Sequence, residues 1–362
     1  MQSKDASRRA VQRVTINDLA DALGLAKGTV SRALNGYPDI AEATRTRVTR
    51  TAERMGYRPL AQAQAIRTGR VRSLGLILNT GNADLHRPFL TDFLDGISRA
   101  ASEESWTLTV STATGVEDEV ASMGRLIDER KADGFILPRA MWNDPRVDLC
   151  KARGVPFILY GRSGDPTDCA WFDISGEDAM RQAVLRLAGF GHRRIGFING
   201  SRDYTYAHLR HDGFLAGMAE AGVSVDPQTM AEGVLDIAAG EAAGRRILAA
   251  GVAPTAVVCA LDLAALGLYR AARGMGRQVG HDLAVIAYDG LPEAAQATPP
   301  LTTFSVDNRM AGQRLAKLLI ARIRGTDPAH LRELAPARLI ARRSDIIEDP
   351  EPANESRMRL KD

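Results

Sequence analysis

The residues best suited to chemistry lie between Lys27 and Asn35, where basic and hydroxyl side chains recur on one side of a short predicted helix. The planar guanidinium of Arg32 can bind O6 and N7 of guanine together, and Lys27 can reach a base or a phosphate. Thr29, Ser31 and Asn35 are short polar side chains that suit phosphate contacts. This stretch therefore predicts a helix face that binds nucleic acid. In the plainer alternative, Arg32 is a phosphate clamp only.

Two amphipathic helices must hold that face in place. The first is predicted between an N-cap at Thr15 and a turn at Gly24, from apolar residues at i, i+3, i+4 and i+7, which are Ile16, Leu19, Ala20 and Leu23. The core side of the second is formed by Ala26, Val30, Ala33 and Leu34. A third helix is predicted from about Glu42 to Met55. The first two helices and their glycine turn indicate a helix-turn-helix, and two surface helices with solvated charges are the alternative.

The charge of the chain is divided unevenly along its length. Residues 1–72 contain 14 Lys and Arg against 6 Asp and Glu, a net charge of +8. The remaining residues contain 33 and 38 of these, a net charge of −5. Because the basic segment coincides with the helix-turn-helix, we expect this segment to bind a polyanion.

The sequence contains no signal for a membrane, a secretory pathway, a metal or a reaction. No apolar run reaches the length of a membrane span, and the basic N-terminus lacks the apolar segment of a secretion signal. Cys150, Cys169 and Cys259 have no metal-type spacing and are expected to be buried thiols in a reducing cytoplasm. His192 has no nucleophile or metal ligand spaced with it and is expected to be structural. We therefore expect neither enzyme activity nor a cofactor.

Seven motifs along the whole chain form one recognisable set. In the N-terminal part these are TVSRALNG at 29–36, MGYRP at 55–59 and RTGR at 67–70. Further along they are GHRRIGFING at 191–200, HLRHDGF at 208–214, VIAYDG at 285–290 and PPLTTF at 299–304. In their number and order these motifs resemble the lactose-repressor-type (LacI/GalR) family of transcription factors. The resemblance implies an all-α helix-turn-helix DNA-binding head, joined by a hinge helix to an α/β two-lobed periplasmic-binding-protein-like ligand domain.

The expected domain organisation combines this resemblance with the sequence pattern. From Val71 onward, apolar strands alternate with amphipathic helices, which indicates a doubly wound α/β sheet, and the alternation restarts after Ser175. The expected segments are a disordered basic arm at 1–12, the DNA-binding domain at 13–59, a hinge helix or plain linker at 60–70, the ligand-binding domain at 71–345 and a flexible tail at 346–362. The expected lobes are about 71–173 with 307–334, and about 174–306 with 335–345.

The resemblance also assigns roles to residues of the head. Lys27, Gly28 and Arg32 match its base-facing positions, and Ile66 matches the apolar hinge residue that wedges into the minor groove. The N-caps of the second and third helices depart from the family pattern, because alanines stand where serine is usual, at Ala26 and Ala41. Each missing cap oxygen is expected to cost about 1 kcal/mol.

The resemblance places a ligand in the cleft between the lobes, near the carboxyl ends of the strands. Arg210 matches the family's effector-binding arginine and Asp289 its ligand-contacting acid, a pair that suits neighbouring hydroxyls of a sugar. Leu261 and Val306 replace amides that often bind ligand in relatives. Further candidates near strand ends, for which a packed or surface position is the alternative, are Asp173, His86, Phe89, Trp142, Tyr160, Trp171, Tyr206 and His208.

Together these inferences predict a cytoplasmic repressor of carbohydrate uptake or catabolism genes. It would bind double-stranded operator DNA and leave it when a small effector binds, most simply a sugar. The tail has no heptads for tetramer formation, so a homodimer is expected. Two alternatives remain open: a co-repressor-driven regulator with a purine-like ligand, and a sugar-modifying enzyme with a DNA-binding head.

Overall fold

The computed structural model describes residues 14–58, 69–80 and 89–346, and it divides near residue 71 into a small N-terminal unit and a larger C-terminal unit. Several predictions fall on residues outside these ranges: the basic arm at 1–12, the hinge residue Ile66, the ligand candidate His86 and nearly all of the tail. No helix within the described ranges is both long and apolar enough to cross a membrane.

In its described residues, the N-terminal unit contains three helices, α1 (Ile16–Leu23), α2 (Lys27–Leu34) and α3 (Glu42–Met55). They converge on one small core, in which Leu19, Val30 and Val48 are fully buried. Each of these residues belongs to a different helix, so the apolar faces predicted from spacing do meet.

The ends of these helices match the predicted caps. Thr15 Oγ1 accepts from the Asp18 amide, and the Asp18 carboxylate accepts from the Thr15 amide at 2.7 Å, which forms a reciprocal capping box. Ala26 and Ala41 are the N-caps of α2 and α3, and neither supplies a side-chain hydrogen bond. The prediction of two helix starts without a cap oxygen is therefore confirmed.

Within the described part of the chain, the C-terminal unit contains two six-stranded sheets, and the first of them is wholly parallel. Its strands in spatial order are β2 (Thr107–Ala113), β1 (Ser73–Asn79), β3 (Gly134–Pro138), β4 (Phe157–Tyr160), β5 (Trp171–Ser175) and β11 (Arg332–Pro336). The helices that belong with it are α4 (Phe89–Glu103), α5 (Val116–Asp128), α6 (Pro145–Arg153) and α12 (Asn308–Ile323). Its central strands are buried apolar runs, as expected for a parallel sheet that is covered on both faces.

The second sheet is parallel except at one edge strand. Its order is β7 (Met230–Ala231), β6 (Ile195–Ile198), β8 (Ala256–Cys259), β9 (Ala284–Asp289), β10 (Thr302–Ser305) and β12 (Arg338–Ile340), with β12 antiparallel to β10. The helices that belong with it are α7 (Gly176–Gly189), α8 (Thr205–Glu220), α9 (Ile237–Leu248), α10 (Asp262–Gly274) and the short α11 (Pro292–Gln296). We call the part built on the first sheet lobe one and the part built on the second sheet lobe two.

Over residues 89–346 the chain passes between the two lobes three times: between β5 and β6, between β10 and β11, and between β11 and β12. This two-sheet α/β architecture confirms the prediction for the C-terminal unit. The sequence pattern predicts no helix at the positions of α6, α9, α11 and α12.

Candidate nucleic-acid interface and ligand pocket

The polar side of α2 faces away from the small core. Val30 and Ala33 are buried, whereas Lys27 and Arg32 are exposed. The other predicted DNA contacts on this helix are half-buried, and they are Thr29, Ser31 and Asn35. The Asn35 side chain also helps to end the helix, because its Nδ2 donates to the Ser31 carbonyl at 2.7 Å.

Arg32 has two partners within the head. Its Nη2 lies 2.5 Å from Asp39 Oδ2, and its guanidinium carbon lies 5.2 Å from the centre of the Tyr37 ring. About half of the Arg32 side chain, 52%, nevertheless stays exposed, which leaves the side chain accessible to a nucleic acid.

A cavity of about 220 Å³ lies between lobe one and lobe two, at the carboxyl ends of strands from both sheets. This is the position at which open α/β sheets bind ligands. Apolar side chains form most of its surface, including Leu78, Phe93 and Leu291. Its polar lining comes from strand ends and from helices of both lobes, so a ligand inside it would contact both lobes.

Arg210 lies on α8 and is only 9% exposed. Its Nη1 donates to the Ala260 carbonyl at 2.6 Å. Its guanidinium carbon lies 3.8 Å from the centre of the Tyr288 ring and 4.7 Å from that of Tyr206. Its Nε is buried and has no hydrogen-bond partner among the described residues. A buried cation with an unused donor is a strong binding group for a hydroxyl or another acceptor.

Asp289 ends β9 and lines the same cavity. Its φ of 132° is unusual for a residue other than glycine, and Gly290 follows with φ 74°. Behind this turn, the buried Asp262 carboxylate accepts from the Leu291 amide at 2.7 Å and from Thr303 Oγ1 at 2.6 Å. Burial and the neighbouring Asp289 raise the pKa of Asp262 to about 7. Backbone strain of this kind collects at ligand sites.

Asp173 also lines the cavity, but protein groups already bind its carboxylate. Oδ2 accepts from Arg162 Nε at 2.7 Å, and Oδ1 accepts from the Ile174 amide at 2.8 Å. Arg162 also donates to Glu177 at 2.8 Å, which links lobe one to α7 of lobe two. Burial raises the pKa of Asp173, although the Arg162 charge opposes this effect.

The aromatic candidates within the described elements fall into three pairs. Tyr160 and Tyr206 line the cavity. Trp142 and His208 do not, and their rings stack on each other across the two lobes with centres 4.2 Å apart. The remaining two are Trp171, which lies in β5, and Phe89, which begins α4 and whose side chain is outside the described part of the structure.

Several polar residues of the cavity lining were not predicted from the sequence, namely Asn79, Arg139, Arg162, Glu177, Tyr204, Tyr288 and Asn308. Asn79 ends β1 and Arg139 follows β3, so attention to every strand end could have found both. Asn308 begins α12, and no local pattern connects it with the cavity. Leu261 and Val306 also line the cavity, and both side chains are apolar.

The residues predicted to be structural are buried. His192 is 7% exposed, its Nδ1 lies 2.9 Å from Thr255 Oγ1, and burial lowers its pKa. The cysteines Cys150, Cys169 and Cys259 are buried thiols, as predicted. Within the described ranges, no group of three His, Cys, Asp or Glu side chains could hold a metal ion.

Comparison with known proteins gives matches at both ends of the chain. Residues 15–59 match the bacterial regulatory proteins of the lacI family, and residues 184–344 match a periplasmic binding protein-like domain. The HTH-type transcriptional regulator AglR of Rhizobium meliloti (strain 1021) is 35% identical over 338 residues, which cover 91% of this chain and 94% of that protein.

Two solved structures are similar over most of the chain. The complex of the transcriptional regulator CelR with cellobiose has a TM-score of 0.71 and 30% identity, and covers 92% of this chain and 100% of that chain. The lac repressor dimer bound to operator and the anti-inducer ONPF has a TM-score of 0.75 and 25% identity, with the same coverage. With its helix-turn-helix, its two-lobed α/β unit and these relatives, the chain belongs to the lacI family, and it is a ligand-responsive DNA-binding transcriptional regulator.

Proposed function

We propose that the chain is a homodimeric repressor of carbohydrate uptake or catabolism genes, and that a neutral sugar in the interlobe cavity releases it from its operator. The CelR complex with cellobiose supports a sugar ligand. The lac repressor, crystallised as a dimer on its operator, supports a dimer on DNA. Such a regulator acts where the chromosome lies, in the cytoplasm.

The charge balance of the cavity is the observation that carries the sugar assignment. Its described lining holds cations and carboxylates in equal number, namely Arg139, Arg146, Arg162 and Arg210 with Glu119, Asp173, Glu177 and Asp289. This balance favours a neutral ligand over an ionic one. Tyrosine rings supply flat apolar surface, and the polar groups both donate and accept, which suits the faces and hydroxyls of a sugar. We assign Arg210 and Asp289 as the first ligand contacts.

On the DNA side, we assign base reading to Lys27 and Arg32, because both are exposed on the outer side of α2. Phosphate contacts fall to Thr29, Ser31 and Asn35, by their type and their place beside this face. Ile66 is our proposed minor-groove residue of the hinge, on the basis of the family resemblance alone.

Release from DNA follows from thermodynamic linkage. The sugar is expected to have a higher affinity for the protein with closed lobes than for the protein bound to DNA. In that case, sugar and operator weaken each other's binding by the same factor. Couplings of this kind are typically about 1–3 kcal/mol, or roughly 5- to 150-fold. We therefore expect the apparent DNA affinity to fall by a factor in that range when the sugar saturates the protein.

The test uses the full-length protein and a duplex selected from a random-sequence library. Glucose, cellobiose, maltose and raffinose are titrated by calorimetry, and release of the labelled duplex is followed by fluorescence anisotropy. We expect at least one of them to bind and to weaken DNA binding. Arg210→Ala should lose this response and keep its DNA affinity, because Arg210 belongs to the cavity. The matched control Arg270→Ala removes an exposed arginine of α10 and should respond normally.

The same assay separates the alternatives. Hypoxanthine and guanine serve as purine probes, and a purine that tightens DNA binding would replace the sugar-induced repressor with a co-repressor-driven one. Chromatography of each sugar after incubation detects turnover, and a consumed sugar would support the enzyme alternative. Unchanged sugar affinity in Arg210→Ala would remove Arg210 from the ligand site.

A further inference from the structure

The turn after α2 folds back beside the base-facing side of that helix. The Gly36 amide donates to the Ala33 carbonyl at 3.1 Å, and the Tyr37 amide donates to the Arg32 carbonyl at 3.1 Å. With Gly36 at φ 70°, these bonds form a Schellman motif, in which a left-handed residue reverses the chain. The residues after Gly36 therefore return past the last turn of α2, and Asp39 comes to lie beside Arg32.

The Arg32 guanidinium is held on two sides by this turn. Asp39 Oδ2 lies 2.5 Å from Nη2, and the Tyr37 ring centre lies 5.2 Å from the guanidinium carbon. The Ile40 amide donates to the Tyr37 carbonyl at 3.2 Å, which closes a second turn with Pro38 at its second position. Asp39 uses one N–H group of a side chain that has five, so the rest of the fork remains available.

Two effects of Asp39 act in the same direction on base recognition. A free arginine side chain has considerable rotamer entropy, part of which is lost when its fork binds guanine. Asp39 and Tyr37 limit those rotamers before DNA arrives. The Asp39 carboxylate also adds a negative charge beside the DNA-binding face, and it therefore repels phosphates whatever the base sequence.

We propose that Asp39 is a specificity-determining positioning residue, which orients Arg32 for one guanine in each half-site and weakens binding to unrelated DNA. The proposal rests on the base-reading role of Arg32 in the proposed function. It adds a residue from outside α2 to the reading of the operator, and it gives the Gly36 turn a part in sequence discrimination.

The test compares variants of the full-length protein on the selected duplex and on a scrambled duplex of the same composition, at one salt concentration. Asp39→Asn should bind the scrambled duplex more tightly than wild type does, since it has lost a negative charge. Its ratio of selected to scrambled affinity should fall about two- to fivefold per half-site, the range of an exposed ion pair. Repeating the library selection should show the loss at the base pair that Arg32→Ala also relaxes.

Two further variants make the result specific. Asp21→Asn removes an exposed carboxylate of α1 and should tighten binding to both duplexes alike, with the affinity ratio kept. Asp39→Glu retains the charge on a longer side chain and should recover most of the ratio that Asp39→Asn loses. A preference of every variant for the selected duplex over the scrambled one shows that the head is folded.

Three results would overturn the proposal. A larger gain in affinity of Asp39→Asn for the selected duplex than for the scrambled one would mean that the ion pair restrains Arg32 from DNA. If Asp39→Asn and Asp21→Asn changed the affinity ratio equally, the loss of one negative charge would explain both, and Asp39 would have no positioning role. A changed preference at a base pair that Arg32→Ala leaves intact would make Asp39 a base reader itself. If Arg32→Ala changes no preference, its base-reading role fails together with this proposal, whereas sugar-dependent release is decided separately by calorimetry.

Discussion

Two buried arginines of the C-terminal unit differ in what satisfies their donors. Arg146 is 3% exposed and donates to Asp144, to Glu119 at 2.8 Å and to the Pro138 carbonyl at 3.0 Å. Arg210 is also buried, yet its Nε has no hydrogen-bond partner among the described residues. The first pattern is that of a structural ion cluster, and the second leaves a donor for a ligand. Residue type and spacing alone do not separate them, because the partners of Arg146 depend on tertiary structure.

At the same scale, Asp262 predicts a pH dependence of stability. Burial and Asp289 raise its folded-state pKa to about 7, from an ordinary value of 3.8 in the unfolded chain. Between these values the folded protein keeps a proton that the unfolded chain releases, so the stability contributed by Asp262 falls as the pH rises. The unfolding free energy can be measured by urea unfolding at several pH values between about 5 and 8. It should fall less steeply with pH for Asp262→Asn than for wild type.

Asp144→Asn is the control for this measurement. Burial acts to raise the pKa of Asp144, but the hydrogen bonds and the charge of Arg146, together with the Met141 amide, outweigh it, so that the pKa is lowered. Stability contributed by Asp144 is then present above its unfolded pKa and is lost only at lower pH, outside the measured window. The unfolding free energy of Asp144→Asn, plotted against pH, should lie below that of wild type and run parallel to it. A parallel curve for Asp262→Asn as well would mean that Asp262 is ionised throughout this range.

At the scale of elements, regular apolar spacing predicts the helices of the head and the central strands of both sheets, but it does not predict α9. This helix contains Gly240 and Gly244, which lower helix propensity. A Cβ at Gly240 would lie 2.5 Å from the Ala264 carbonyl of α10, so glycine is needed for close helix packing. Helix α9 is therefore stabilised by tertiary packing against α10 and not by its own helix propensity. The cavity lining can likewise be predicted only in part. Asp289 is predictable because it lies at the end of a strand, whereas Asn308 reaches the cavity from a helix that is distant in the sequence.

The uncapped starts of α2 and α3 give a prediction for the head. Ala26→Ser and Ala41→Ser should each stabilise it by about 0.5–2 kcal/mol, because a hydroxyl would accept from an amide of the first turn. Hydrogen exchange on the full-length protein should then be slower at head amides. Ala43→Ser places the same hydroxyl within α3 rather than at its cap and should give no such protection. Equal protection by Ala41→Ser and Ala43→Ser would argue against an effect of capping.

At the scale of the C-terminal unit, backbone pairing joins the two lobes beside the cavity. The Thr205 amide donates to the Ala140 carbonyl at 3.1 Å, and the Trp142 amide donates to the Asp203 carbonyl at 2.9 Å. Met141 and Tyr204 form an antiparallel bridge between these bonds. The partners are separated by more than 60 residues, so no local sequence pattern predicts this pairing, and it gives the closed arrangement of the lobes its own contacts.

The Trp142–His208 stack allows a test of whether sugar affinity depends on this closure. Neither residue lines the cavity, so each can act on a sugar only through the closed arrangement. Stacked pairs contribute about 0.5–1.5 kcal/mol, so Trp142→Ala and His208→Ala should each weaken sugar binding by roughly two- to tenfold. The double variant should lose no more than either single one, because both changes remove the same contact. Operator affinity without sugar should not fall, since opening the lobes disfavours only the sugar-bound form.

Calorimetry on the three variants, with Trp142→Phe as the ring-retaining control, measures the sugar affinity. Additive losses in the double variant would mean that the two rings act independently, and an unchanged sugar affinity would mean that the stack has no part in closure.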